Sequence, residues 1–229
     1  MKSRCVIAAL AASAAAVALP GTALAADGPG IGGFYVGVHG GYGTDSSDWA
    51  GTPNPNPVPP FVSANTADLS AGGALFGGTI GGRWQSGYVV LGIEAEASFA
   101  NLDDSAPNTS AAGFTNSVEI DWLATVTAQA GIQTGRVHGY LEAGIAFTGS
   151  EYAVADTRGG PVNLSQSVSD TRNGVVFGAG LEYLLGGNWS IRGEYNYLNF
   201  GANDYRIAND TWSIDQTMHI GRFAILYRF

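Results

Sequence analysis

The sequence predicts an all-β fold: eight antiparallel strands closed into an up-and-down transmembrane β-barrel, preceded by a secretory signal peptide. Three observations carry that prediction. Eight segments alternate with period two, the signature of strands whose successive side chains point to opposite faces. The links between the segments alternate between short and long. Only 13% of the 229 residues are charged, where an ordinary soluble domain has about 25%.

The first element is the targeting segment. Lys2 and Arg4 precede a fifteen-residue apolar stretch, Cys5 to Leu19, which Pro20 and Gly21 break. Ala23-Leu24-Ala25 then supplies a small-residue cleavage site. Residues 1–25 are read as signal peptide and 26–229 as the barrel domain. The stretch is shorter than the ~20 apolar residues that a spanning helix needs, and no later run is long enough. Cys5 leaves with the signal, so the exported chain has no cysteine, and a disulfide-stapled scaffold is excluded. The mature chain carries eight arginines, no lysine and nineteen acids, a net charge of −11. Such a surface repels phosphate, and no nucleic acid partner is expected.

The strands follow in order. In the first, Phe34, Val36, Val38 and Tyr42 oppose Tyr35, Gly37, His39 and Gly41. The second sets Phe76, Ile80 and Trp84 against Thr79, Arg83 and Gln85, and the third sets Val89, Leu91, Ile93, Ala95 and Phe99 against Glu94, Glu96 and Ser98. In the fourth, Val118, Ile120, Trp122, Val126 and Ile132 are expected to face away from Glu119, Asp121, Thr125, Thr127 and Gln129. The fifth opposes Val137, Leu141, Ile145 and Phe147 to Arg136, His138, Tyr140 and Glu142. In the sixth, Phe177, Leu181 and Tyr183 oppose Gly178, Gly180 and Glu182, and in the seventh Trp189, Ile191, Tyr195 and Tyr197 oppose Arg192, Glu194 and Asn196. The last sets Phe223, Ile225, Tyr227 and Phe229 against Arg222 and Arg228. Leu123, Val176, Leu184, Leu198 and Leu226 interrupt the polar face.

Short links occur at Ser86-Gly87, Gln133-Thr134-Gly135 and Gly186-Gly187-Asn188, and long ones occupy about 43–73, 101–117, 149–171 and 201–216. Tight turns on one side and long loops on the other characterise outer-membrane barrels, as does an even strand number. A sheet edge has no partner in hydrocarbon, so a sheet that spans must close. Trp84, Trp122, Trp189, Tyr195, Tyr197 and Tyr227 are placed as interfacial girdles would be. The first long link contains PNPNPVPP, which reads as an exposed extended segment.

The runs GFYVGVHGGYG and GLEYLLGGNWSIRGEYNYLNFG and the ending YRF resemble the small outer-membrane β-barrel proteins of Gram-negative bacteria. These are the OmpA-like barrel domains and the related opacity-type and porin-family surface antigens. The resemblance implies localisation in the outer membrane after export through the periplasm, surrounded by lipid and lipopolysaccharide. It also implies that the alternating end, Phe223, Ile225, Tyr227 and Phe229, is the signal read by the outer-membrane assembly machinery. Two departures stand out. Thr125, Thr127 and Gln129 occupy inward positions where relatives often carry arginines. No peptidoglycan-binding domain is expected beyond Phe229.

The inward charges are read as Arg83, Glu94, Glu96, Glu119, Asp121, Arg136, Glu142, Glu182, Arg192, Glu194, Arg222 and Arg228, with His138 beside them. An eight-stranded barrel is just wide enough for its own side chains to fill, and buried charges are tolerable only when paired. The expectation is a salt-bridged plug. No enzyme is expected, because no serine, histidine and acid fall together at one rim. Some of the surface antigens that the chain resembles bind haem, but the long links lack His, Cys and Met apart from Met218 and His219, leaving Tyr152 and Tyr205 as ligand candidates. No D-x-[DN]-x-[DN]-G loop accompanies the acids of the long links, so no metal or other cofactor is expected. The reading is a monomeric structural protein of the outer membrane that displays four extracellular loops, for envelope integrity or surface interaction. Its alternatives are a narrow porin for ions or small solutes, and a loop-based binder of haem or a host component.

Overall fold

The computed structural model describes residues 30–52, 66–107, 114–156, 166–207 and 210–229. Residues 1–25, read above as a signal peptide, and the proline-rich segment lie outside them. The strands are β1 (Gly33–Thr52), β2 (Thr66–Leu69), β3 (Gly72–Ser86), β4 (Val89–Pro107), β5 (Phe114–Thr134), β6 (Val137–Asp156), β7 (Gln166–Gly186), β8 (Trp189–Ile207) and β9 (Asp210–Arg228). Each pairs antiparallel with its neighbours, and β9 returns to β1 from Tyr35↔Arg228 to Thr52↔Thr211. β2 and β3 both pair with β1 and form one interrupted strand, the Asp45 N–H bonding the Ala71 carbonyl at 2.7 Å beside the break. The sheet is therefore a closed barrel of eight antiparallel staves.

The register fixes the barrel's shape. Starting at Tyr35, successive partners are Gly81, Glu94, Thr127, Gly144, Val176, Leu198 and Met218, and Met218 pairs with Asp45. One circuit thus climbs from position 35 to position 45, a shear of ten residues. With ~3.3 Å per residue and ~4.8 Å between strands, eight strands at this shear tilt by about 41°. Each residue then advances about 2.5 Å along the barrel axis.

The alternation reads out as predicted. Val38, Leu141 and Phe223 are 65%, 69% and 72% exposed, and their sequence neighbours His39, Glu142 and Arg222 are buried in the lumen. A surface of this kind is stable only in lipid. At that rise, the apolar band from Trp84 and Trp189 up to Tyr42 and Trp122 is ~25 Å tall, as a bilayer core requires. Gly87, Gly135 and Gly187 take positive φ in the tight turns at one end.

Two expectations change. The long links are largely strand: β1 and β9 stay paired to Thr52↔Thr211, and β5 and β6 to Phe114↔Asp156. Strands of 19 to 21 residues are about twice what the membrane needs. Beyond the apolar band the outward side chains are mostly polar, among them Thr44, Ser46, Asp48, Asp103, Ser105 and Asn173, so the sequence alternation loses its hydrophobic contrast while the ladder continues. The second change lies in β5. Its register against β6 skips Asp121, with Ile120 opposite Ser150 and Trp122 opposite Gly149. This bulge inverts the side-chain parity above it. Ile120 is buried in the lumen, while Glu119 and Asp121 point outward and are exposed, contrary to their expected inward placement.

Candidate functional site: the barrel lumen

The lumen is layered. At the periplasmic end Ile31, Val90 and Leu184 form a buried apolar cluster. Around it, Gln85 Oε1 accepts from the Ile31 N–H at 2.8 Å, and Arg228 donates to the Gly30 carbonyl at 2.6 Å. Residues 30–31, just before β1, thus form a cap held by hydrogen bonds between their backbone and lumen side chains.

Above the cap lies an ion-pair network built from inward positions of five strands, β3, β4, β7, β8 and β9. Arg83 (β3) pairs with Glu182 (β7) at 2.7 Å, and Ser190 donates to the same carboxylate at 2.6 Å. The Arg83 guanidinium also lies 4.2 Å from the centre of the Tyr35 ring. Arg192 (β8) reaches across to β4, bonding Glu94 at 2.6 Å and Glu96 at 3.2 Å. Arg222 (β9) pairs with Glu96, and with Glu194 at 2.9 Å. Tyr35 donates to Glu94 at 2.6 Å and Tyr140 to Glu194 at 2.5 Å. Gln129 donates to both Glu94 and Glu142 at 3.2 Å, and Thr127 to Glu142 at 3.0 Å. Thr125, Thr127 and Gln129 supply neutral donors to carboxylates.

Glycines make room for the two tyrosines. A Cβ on Gly81 would collide with the Tyr35 ring, and one on Gly180 with the Tyr140 ring. Gly81→Ala is expected to displace Tyr35 from Glu94 and cost about 1–3 kcal/mol in urea unfolding of the refolded barrel. An unchanged midpoint contradicts that packing.

Above the network, three of the side chains that interrupted the polar pattern, Leu123, Val176 and Leu198, reach a common level. At the shear given by the register, Leu75, Leu123, Ala146, Val176, Leu198 and Ile220 come to one height, and all are buried. Leu75 and Ile220, with Leu102, close on Gly43, whose notional Cβ would lie 3.3 Å from Leu102, 3.5 Å from Ile220 and 3.6 Å from Leu75. These buried side chains make an apolar ring at one level of the lumen, called the septum below.

The outer mouth lies beyond the septum and above the apolar band. Arg172 donates to the Gly201 carbonyl at 2.6 Å and to Gln216 at 3.1 Å. Gln216 in turn donates to Asp45 at 2.8 Å, and Ser47 donates to Asp45 at 2.7 Å. Burial pushes the Asp45 carboxyl up to about 6, against the opposing pull of Ser47, Gln216 and Arg172. The folded value exceeds the usual 3.8, so the folded state binds the proton more tightly. Mouth stability is then full below the usual value and falls as pH rises through about 6. Asp45→Asn should flatten this dependence, measured as hydrogen exchange of the β1 and β9 amides at pH values on either side of 6. An equally steep dependence in the variant removes Asp45 as its source.

Of the twelve inward charges expected, nine are buried in the lumen: Arg83, Glu94, Glu96, Glu142, Glu182, Arg192, Glu194, Arg222 and Arg228. Arg136 is exposed because it sits in the tight turn before β6, where its carbonyl accepts from the Leu184 N–H. Glu119 and Asp121 face outward above the bulge. Missed by the reading of charges alone were Tyr35, Tyr140, Gln129 and Asn196, whose inward parity was visible but whose polar reach was not weighed. Phe223, Ile225 and Phe229 are exposed on the outer wall, and the Tyr227 ring packs edge-on against Trp189 and Phe229 at 5.0 and 5.4 Å.

Two constellations bear on chemistry. Glu94, Glu96 and Glu194 bring carboxylate oxygens within 4.8 Å of one another, a spacing that suits a metal ion. Arg192 and Arg222 already engage those carboxylates, so the donor set is that of ion pairs. Ser98 Oγ lies 2.8 Å from His39 Nε2, with Glu96 3.9 Å from His39 Nδ1. The order matches a nucleophile, base and acid, but the acid is beyond hydrogen-bond reach and the group is walled in between septum and network. Met218 is buried in the lumen, and His219 faces outward with Tyr195 Oη at 2.6 Å from Nδ1. The side chains of Tyr152 and Tyr205 lie outside the described residues.

These features define a small outer-membrane β-barrel. The chain belongs to the family described as the outer membrane protein beta-barrel domain, matched over residues 6–217. It is 28% identical over 209 residues to the 31 kDa outer-membrane immunogenic protein of Brucella melitensis biotype 1, covering 86% of this chain and 83% of that protein. It is 28% identical over 143 residues to the 22 kDa outer membrane protein of Rhizobium leguminosarum bv. viciae, covering 60% of this chain and 59% of that one. Among solved structures, the outer membrane protein OprG from Pseudomonas aeruginosa aligns with 12% identity and a TM-score of 0.49, covering 86% of this chain and 97% of that one. The protein is therefore an outer-membrane surface protein.

Proposed function

We propose that this barrel is a non-conducting structural scaffold that carries its extracellular rim and loops clear of the membrane, for envelope integrity or surface contact. The apolar septum carries the reading, because a ring of buried aliphatic side chains across the lumen opposes an ion path. The paired network beneath it supports the same view, since each guanidinium of Arg83, Arg192 and Arg222 is engaged by carboxylate rather than left to line a channel. The strand extensions beyond the apolar band support display at a distance from the lipid. The relative in Brucella is an outer-membrane immunogenic protein by its name, which fits an exposed rim. Lipid and lipopolysaccharide are the proposed neighbours of the outward apolar band. The outward end Phe223, Ile225, Tyr227 and Phe229 is proposed as the recognition signal for the outer-membrane assembly machinery, acting on a monomer.

The test is a deletion strain complemented with the wild-type gene. Loss of the protein should raise leakage of a hydrophobic dye through the envelope or reduce surface contact, and the wild type should restore it. A deletion that changes neither, but slows uptake of small solutes, would make the protein a porin and overturn this reading.

A further inference from the structure

The network between cap and septum holds an unequal number of opposite charges. Arg83, Arg192 and Arg222 face five buried carboxylates, Glu94, Glu96, Glu142, Glu182 and Glu194. Among the described residues, four of these acids have a guanidinium partner and Glu142 does not. Its Oε2 accepts only from the neutral donors Thr127, at 3.0 Å, and Gln129, at 3.2 Å. Its Oε1 has no hydrogen-bond partner although the side chain is buried.

The direction of Oε1 is informative. Asn196 is 1% exposed, and its Nδ2 donates to Glu194 at 2.7 Å. That bond fixes the amide, and the Asn196 Oδ1 is also without a partner. Both oxygens crowd the space over Gly178: a Cβ there would collide with Asn196 Oδ1 and lie 2.6 Å from Glu142 Oε1. Two lone-pair acceptors therefore converge, buried, at the one carboxylate without a cation. Turning the amide over would set its NH2 toward Glu142 but aim its oxygen at the Glu194 carboxylate, exchanging one acceptor clash for another.

We propose that a proton lies between Glu142 Oε1 and Asn196 Oδ1, so that Glu142 is a neutral carboxylic acid donating to the asparagine carbonyl. The proton satisfies both orphaned oxygens and removes one surplus negative charge from the sealed compartment. The carbonyl oxygen keeps the bonds from Thr127 and Gln129. Gly178 has no side chain because the acid and the amide occupy its place.

The test is infrared spectroscopy of the folded protein in lipid vesicles, in the carbonyl-stretch region of protonated carboxylic acids. The wild type should show a band of this kind that moves when glutamate is labelled with carbon-13, and Glu142→Gln should abolish that labelled band. The amide of Glu142→Gln offers N–H to Asn196 and C=O to Thr127 and Gln129, so its urea midpoint should equal or exceed that of the wild type. Elemental analysis of the same sample should find no bound metal. Absence of a labelled-glutamate band in the wild type overturns the proposal even if the variant fails to fold. So does one equivalent of metal ion that disappears in Glu142→Gln. Neither result depends on whether the barrel conducts.

Discussion

Arg192→Met is expected to destabilise the barrel by about 3–5 kcal/mol, the cost of removing one partner from a buried ion pair. Arg192 is the hub of the lumen, with one guanidinium serving Glu94 at 2.6 Å and Glu96 at 3.2 Å and lying 3.4 Å from Glu194. Methionine fills much of the same volume, so the loss reports charge rather than packing. Glu94 keeps only the bonds from Tyr35 and Gln129, neither of which carries charge. The check is urea unfolding of the refolded barrel in vesicles, followed by heat-shifted gel mobility. A variant within ~1 kcal/mol of wild type would mean that the network is hydrated and weakly coupled. Arg192→Met combined with Glu94→Gln should recover part of the loss, because the second substitution removes a stranded charge.

Leu198→Ala is expected to cost about 2–5 kcal/mol, the range for removing a fully buried leucine side chain. Leu198 lies in the septum with Leu123 and Val176 at the same height, and it is inaccessible to solvent. An ordinary lipid-facing leucine offers the control: Leu141 is 69% exposed on the outer wall. Leu141→Ala leaves no cavity in the lumen and should lose distinctly less. Equal losses at the two sites would show that the lumen is no better packed than the lipid interface. The cavity at position 198 also thins the barrier, so any leak through the barrel should appear in this variant before it appears in the wild type.

The strands, their count and their closure were legible because lipid and lumen demand opposite side chains at alternate positions. Val38 beside His39, or Phe223 beside Arg222, states the fold locally. The same logic identified Arg83, Glu94, Glu182, Arg192, Glu194 and Arg222 as inward. It failed at Glu119 and Asp121, where a single bulge residue reverses parity and nothing in the local composition marks it. It failed at Arg136 for a different reason, since the last residue of a tight turn is not yet in the ladder. Leu123, Val176, Leu184 and Leu198 looked like blemishes in the polar face. They are the septum and the cap, but only the shear of the closed barrel brings residues from distant strands to one height. The strand extensions were hidden because Ser, Thr and Asn outside the bilayer alternate without contrast.

The sealed lumen is the central claim, and single-channel recording of the refolded mature chain in a planar bilayer tests it most directly. With folding verified by gel mobility, the wild type should show no discrete openings at any applied voltage. Reproducible openings, with an ion selectivity that changes in Arg192→Met or Glu94→Gln, would mean that the septum parts and that the network lines a path.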